Sequence, residues 1–260
     1  MNKGIALLSF VLLNLAVFAE KKKEPSQTEL AAITTRGRMM EEYDVAAWHA
    51  TDAVRARVAD KDLPHGNYIA KRSDRGWVVV FRQLNENHDK HLILYEAVQG
   101  ATAVDFDVKK YDPPREDSDF YLHAATALQS ALAGFEREQR PYNTYVLLQD
   151  TGQMYVYILP ASTKTGVYPL GGDVRYLISS DGNNIIEKHP MHKSILEFDT
   201  SAQAGKTVMG VHTHVLTDRP EDSDVFYVLS RKPSMPEVVV TGEHEMYLVL
   251  ADGAIERRKR

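Results

Sequence analysis

The chain contains no cysteine, so no disulfide can form, no cysteine nucleophile is available and a lipoprotein anchor is excluded. It also lacks a glycine-rich phosphate loop, a His-Glu-x-x-His pair and a Gly-x-Ser-x-Gly elbow. Those absences remove the common nucleotide-binding, zincin and serine-hydrolase readings. Basic residues are in deficit, 31 Lys and Arg against 36 Asp and Glu, and the longest basic run is the tail Arg257 to Arg260. That balance leaves no electrostatic footprint for nucleic acid, and the tail reads as a solvated end. With 43% hydrophobic residues, stability has to come from an ordinary hydrophobic core.

Long apolar runs are scarce as well. The exception is Gly4 to Phe18, preceded by Lys3, which is short for a membrane span. Val17 and Ala19 place small residues where a signal peptidase reads, so residues 1–19 are expected to be a signal peptide. An uncleaved N-terminal anchor is the alternative. Cleavage removes one basic residue and moves the formal charge from −5 to −6. The expected location is exported, periplasmic or extracellular, with no integral membrane segment after cleavage. The 241 residues that follow suit one large domain or two small ones.

From Thr28 to about Val58, Leu30, Ile33, Met40, Tyr43, Ala47, Trp48 and Val54 recur at helical spacing with Gly37 interrupting. This predicts one long helix or two short ones. The period then changes: Gly76 to Arg82, His91 to Glu96 and Val104 to Val108 are β-branched and aromatic segments that predict an antiparallel meander. Residues 20–112 are therefore expected to form a small helix-plus-meander module. His49, His65, His88, His91 and His123 stand alone and read as ordinary surface or hydrogen-bonded histidines. Pro113 and Pro114 are expected to mark a boundary. Beyond it come a helix capped at Asp117 to Asp119, strands at 144–148, 154–159, 174–178 and 185–188, and a strand from Val208 to Val215. A helix opening at Pro220 and two closing strands at 237–241 and 245–250 complete the pattern. Residues 113–260 thus predict an α+β domain with an antiparallel or mixed sheet and flanking helices.

One constellation in this domain points to chemistry. His212 and His214 alternate on a strand, so both imidazoles share a face and can share a metal ion. Asp224, ten residues after His214, lies in the first turn of the next helix, where it can return a carboxylate. Two histidines, a carboxylate and an open fourth position make a catalytic type of zinc site. A strand face with two solvated histidines is the plain alternative. Two other groups could supply a further ligand and close the site: His189 and His192 after the 185 strand, and Glu243 to Glu245 at a turn. Turn decoration is the plainer reading of both.

The pattern His212-Thr213-His214 followed by Pro220 and Asp224 resembles the JAMM, or MPN/Mov34, metalloprotease domain over roughly residues 115–260. The resemblance implies zinc on His212, His214 and Asp224, and hydrolysis of peptide or isopeptide bonds in a peptide or protein substrate. Two positions depart from the family. Glu221 stands where the family has the serine that steadies the oxyanion, and a carboxylate there repels developing negative charge. Asn143 stands where the family has its catalytic glutamate, and an amide cannot take a proton from water at neutral pH. Glu187 and Glu197 are candidate replacement bases, with Glu138 a fallback should the alignment slip. The rival expectation is a catalytically silent JAMM-like binding or assembly module of the cell envelope, and a plain α+β protein without metal is the third.

Overall fold

The computed structural model describes residues 24–58, 68–87, 90–200, 207–242 and 245–258. The signal peptide expected at 1–19, together with His65, His88, Glu243, His244, Lys259 and Arg260, lies outside them. Among the described residues the chain is a mixed α+β structure with three helices and four open, mostly antiparallel sheets.

The long helix α1 (Gln27–Arg55) opens on a reciprocal cap: Glu29 N donates to Ser26 Oγ at 3.2 Å and Ser26 N donates to Glu29 Oε2 at 2.7 Å. It is one helix, about 44 Å long, and runs unbroken through Gly37. That glycine is a packing notch instead of a break. A Cβ there would strike Val225 and stand 2.7 Å from Asp222 O, in the helix α3 (Asp222–Ser230) that crosses it. Trp48, expected on the apolar stripe, is instead 63% exposed and stacks on His49 with ring centroids 5.0 Å apart.

The meander has four strands where the sequence suggested three: β1 (Tyr68–Ser73), β2 (Gly76–Leu84), β3 (His91–Gln99) and β4 (Phe106–Glu116), antiparallel and adjacent in that order. Pro113 and Pro114 fall inside β4 and do not end the element. Proline is tolerated there because β4 is an edge strand whose ladder to β3 is irregular across the prolines, with Lys110 and Arg115 the paired residues on either side. Helix α2 (Asp119–Ala133) follows. A second antiparallel sheet then forms in the order β5 (Tyr142–Leu148), β6 (Met154–Pro160), β8 (Val174–Ile178), β9 (Ile185–Pro190). Two short strands absent from the sequence reading, β7 (Val167–Leu170) and β10 (Leu196–Asp199), pair with each other.

The last sheet runs β11 (Gly210–Thr213), β12 (Glu237–Thr241), β13 (Glu245–Val249), β14 (Ile255–Arg258). Its β11–β12 pair is parallel because α3 supplies the crossover between them, and the other pairs are antiparallel. Strand β14 takes in the first two residues of the basic tail: Arg258 is exposed, as a solvated end would be, but Arg257 bonds Glu245 at 2.8 Å and Glu24 at 2.7 Å.

Helix α1 ties these layers together. Its C-terminal half buries Met40, Tyr43, Ala47 and Val54 against Trp77, Val79 and Phe81 of the meander and Tyr145, Leu147 and Tyr157 of the second sheet. Its N-terminal end places Leu30 and Ile33 against Val225 and Val228 of α3 and Val239 and Tyr247 of the last sheet. The opposite face of the meander, with Ile69, Val80 and Ile93, shares a core with Ala124, Ala127 and Ala131 of α2. The packing holds α3 and β11 side by side, and the three candidate ligands lie on or beside these two elements. No helix among the described residues is long and apolar enough to cross a membrane.

Candidate metal centre

Strand β11 turns His212 inward, and His214 follows one step beyond the strand end, its backbone N still bonding Val240 O at 2.8 Å. Val211 and Thr213, between and beside them, face out. Helix α3 presents Asp224 in its first turn, where Asp224 Oδ2 accepts from Glu221 N at 2.7 Å. That bond holds the helix start and turns Oδ1 toward all three histidines, while Oδ2 also lies 3.2 Å from His214 Nε2. The fourth member comes from the segment after β9. Met191 is fully buried, its N donating to Asp173 O at 3.1 Å, and the next residue delivers His192 to the cluster.

Four atoms converge: His192 Nε2, His212 Nε2, His214 Nε2 and Asp224 Oδ1. Five of their six separations lie between 2.8 and 3.4 Å. Corners of a tetrahedron with such edges stand roughly 2 Å from its centre, which is the distance at which nitrogen and oxygen ligands hold zinc. The side chains are closed off from solvent, with exposures of 7% for His192, 2% for His212 and none for His214 and Asp224.

The outer hydrogen bonds decide what the inner atoms are. His192 Nδ1 lies 2.9 Å from Asp173 Oδ1, His212 Nδ1 lies 3.0 Å from Glu237 Oε1, and His214 Nδ1 lies 2.9 Å from the carbonyl oxygen of Arg219. The carboxylates and the carbonyl accept only, and the Thr217 hydroxyl, also 2.9 Å from His214 Nδ1, donates its hydrogen to the Arg219 carbonyl at 3.0 Å, so each Nδ1 carries the proton and each neutral ring turns a bare Nε2 lone pair inward. Three lone pairs and a carboxylate oxygen then face one another with no proton between them. A cation at the centre, or protons taken up in its place, is needed to make that arrangement stable, and the donor set fits a metal ion.

In the metal-free chain protons fill that role. Burial disfavours the imidazolium of His212, but the Asp224 carboxylate, with Glu237 behind the ring, outweighs it and lifts the pKa to about 9. Burial likewise opposes charge on His192, yet Asp173 and Asp224 hold its pKa well above the usual histidine range. Burial alone would raise Asp224; the three histidines overcome it and keep the carboxyl well below its ordinary value.

The support behind the ligands is itself buried and paired. Glu237 Oε2 accepts from Arg231 Nη1 at 3.0 Å, and Arg231, with no exposure, lies over the Tyr227 ring at 4.2 Å. Gly210 makes room for this, because any Cβ at that position would collide with the Glu237 carboxylate. Replacing Glu237 by Gln removes the charge that orients His212 and is expected to weaken metal binding by about 10- to 100-fold. Competition titration against a chromophoric chelator measures it, and an unchanged affinity would show that Glu237 does not tune the ligand.

The structure thus brings together His212, His214 and Asp224, with His192 in the position the sequence reading left open. His189, three residues before His192, turns elsewhere and sits 3.1 Å from Glu221 Oε1. Nothing in the local spacing distinguishes the two histidines. The choice is made by Asp173, which lies immediately before β8, 19 residues upstream, and also accepts from His192 N at 3.0 Å. The other candidates do not join the four. Glu187 is exposed on β9, 4.0 Å from His189 Nδ1. Glu197 is exposed on β10 and pairs with Arg140 at 3.2 Å. Asn143 is exposed on β5 opposite Leu159, and Glu138 is exposed beyond α2. Glu221 is buried and caps α3. No protein-family model, curated protein or solved structure matches this chain.

Proposed function

We propose that the chain is a metal-stapled binding or assembly module, a JAMM-like scaffold that holds zinc without hydrolysing peptides. The observation that carries this reading is His192: a third imidazole in the fourth position gives a buried set of four protein ligands, the ligand count of a structural site. Three imidazoles and one carboxylate suit zinc among the common divalent ions. When bound, the ion supplies a positive crosslink joining β11, α3 and the segment after β9. Hydrolysis asks for an open coordination position and a base in reach. The positions of Glu187, Glu197 and Asn143, outside the cluster, support the silent reading. The hydrolase reading needs His192 to leave its place and a carboxylate to approach.

Export, and a peptide or protein partner outside the cell, belong to the same proposal and rest on the apolar run of residues 4–18 and on the resemblance. The test is metal analysis of protein purified without a chelating tag, followed by peptidase assay with and without chelator. Stoichiometric zinc with no chelator-sensitive turnover is expected, and Asn143→Glu is expected to gain no activity. Chelator-sensitive cleavage would overturn the silent assignment, and absence of metal would overturn the site.

A further inference from the structure

Away from the metal centre, a cavity of about 350 Å³ opens between the ends of β2 and β3 and the flank of α2. Its size falls at the lower end of the range of small-molecule pockets. Leu84, Leu128 and Leu132 form apolar walls, and Leu84 and Leu132 are 37% and 42% exposed at the surface. The polar residues of the lining are Tyr68, Arg82, Gln83, His91 and Gln129.

Arg82 makes this more than a hollow. It is 94% buried, with 6% exposure; among the described residues its Nη2 donates to His91 Nδ1 at 2.7 Å and its Nε has no hydrogen-bond partner. Asp117 approaches from the Nε side at 3.4 Å, in a geometry that satisfies neither group: Arg82 Nε and both Asp117 oxygens are buried without a hydrogen bond. Asp117 is not part of the cavity wall. A buried guanidinium with a spare N–H therefore lines an otherwise largely apolar pocket. His91 accepts from Arg82 and so adds no second positive charge. Its flat fork of donors matches one carboxylate, and with the Asp117 carboxylate already 3.4 Å from Nε the site carries too little charge for a polyphosphate. The leucines ask for an aliphatic tail.

We infer that this cavity binds a small amphipathic monocarboxylate, its head on Arg82 and its tail along Leu84, Leu128 and Leu132. The site is independent of the metal reading, since it shares no residue with it.

Isothermal titration of the full chain with octanoate tests the assignment, with octan-1-ol and octylamine as probes of the same tail. Octanoate is expected to bind one per chain and about tenfold tighter than the alcohol, the gain of a charge-assisted hydrogen bond, with octylamine weakest. Leu132→Glu, at an exposed position that leaves the fold intact, places a negative charge at the mouth and is expected to cost octanoate at least about tenfold while sparing the alcohol. Ala125→Leu fills the cavity from α2 and is expected to abolish binding of both. Octanoate binding no tighter than octan-1-ol, or binding unaffected by Leu132→Glu, would overturn the proposal. Should Ala125→Leu fail to fold, Leu132→Glu and the three-ligand ranking still decide it.

Discussion

Removing the metal with a strong chelator is expected to lower the thermal unfolding midpoint by roughly 10 °C. A ligand present at about 1,000 times its dissociation constant stabilises the folded chain by ~4 kcal/mol. A domain of this size shifts by about 2–4 °C per kcal/mol. The effect is large because the site joins elements that otherwise meet weakly: β11 is an edge strand paired only to β12, and His192 arrives on a connecting segment. The double variant His212→Ala, His214→Ala is expected to unfold like stripped protein and to ignore the chelator. A wild-type chain indifferent to chelator would show that protons alone hold the cluster together.

The pH dependence sharpens this test. In the metal-free chain the pKa of His212 is raised from 6.5 to about 9. Its stabilising contribution is then complete below pH 6.5 and lost as pH climbs through about 9. Asp224, depressed, contributes above its ordinary range and loses that contribution only in strong acid. Stability of the stripped chain should therefore fall between pH 6.5 and 9. The metal-loaded chain, with Nε2 engaged by the ion, should stay level there. The stabilisation by metal should widen with pH across this window, measurable by denaturant titration at several pH values.

The second large effect is expected from Asp222→Ala, at a residue that is not a ligand. Asp222 has no exposure and receives Arg36 Nε from α1 at 3.0 Å, Arg175 Nη1 from β8 at 2.6 Å and Tyr157 Oη from β6 at 2.8 Å. Both guanidiniums also lie over the Tyr155 ring, at 5.7 and 4.9 Å. Deleting the carboxylate leaves two largely buried cations facing each other, and breaking a buried pair from one side costs about 3–5 kcal/mol. Metal affinity should fall too, because Asp222 opens the helix turn that carries Asp224. Asp222→Asn retains an acceptor for Tyr157 and one arginine, so an intermediate loss is expected. Denaturant unfolding measures both variants. A change within about 1 kcal/mol for Asp222→Ala, the range of an exposed ion pair, would show that the latch contributes little.

The strand and helix patterns were legible wherever apolar spacing carried the signal, as in β2, β5, β6, β12 and α2. They were not legible where a strand is short or solvent-facing. β1, β7, β10 and β14 are held by their neighbours' ladders, and in β14 the run of charges Glu256, Arg257 and Arg258, which falls on both faces, hides the period. Gly37 shows the same division from the helix side. Local propensity treats a mid-helix glycine as a weakness of about 1 kcal/mol, whereas contact with Val225 and Asp222 makes it the residue that lets α3 come close.

For the site, the primary structure determined the donors that alternate on one strand and the acid in the first turn of the next helix, because two-residue and one-turn periodicities are local rules of backbone geometry. Only the tertiary structure decided that His192 and not His189 completes the set, that Asp173, Glu237 and the Arg219 carbonyl turn each ring's lone pair inward, and that Asp222 ties the ligand-bearing helix to α1. The reason is distance along the chain. Asp173 precedes His192 by 19 residues, Glu237 follows His212 by 25 and Arg36 precedes Asp222 by 186. Contacts that far apart are set by how the layers pack, and no periodicity in the sequence encodes that packing.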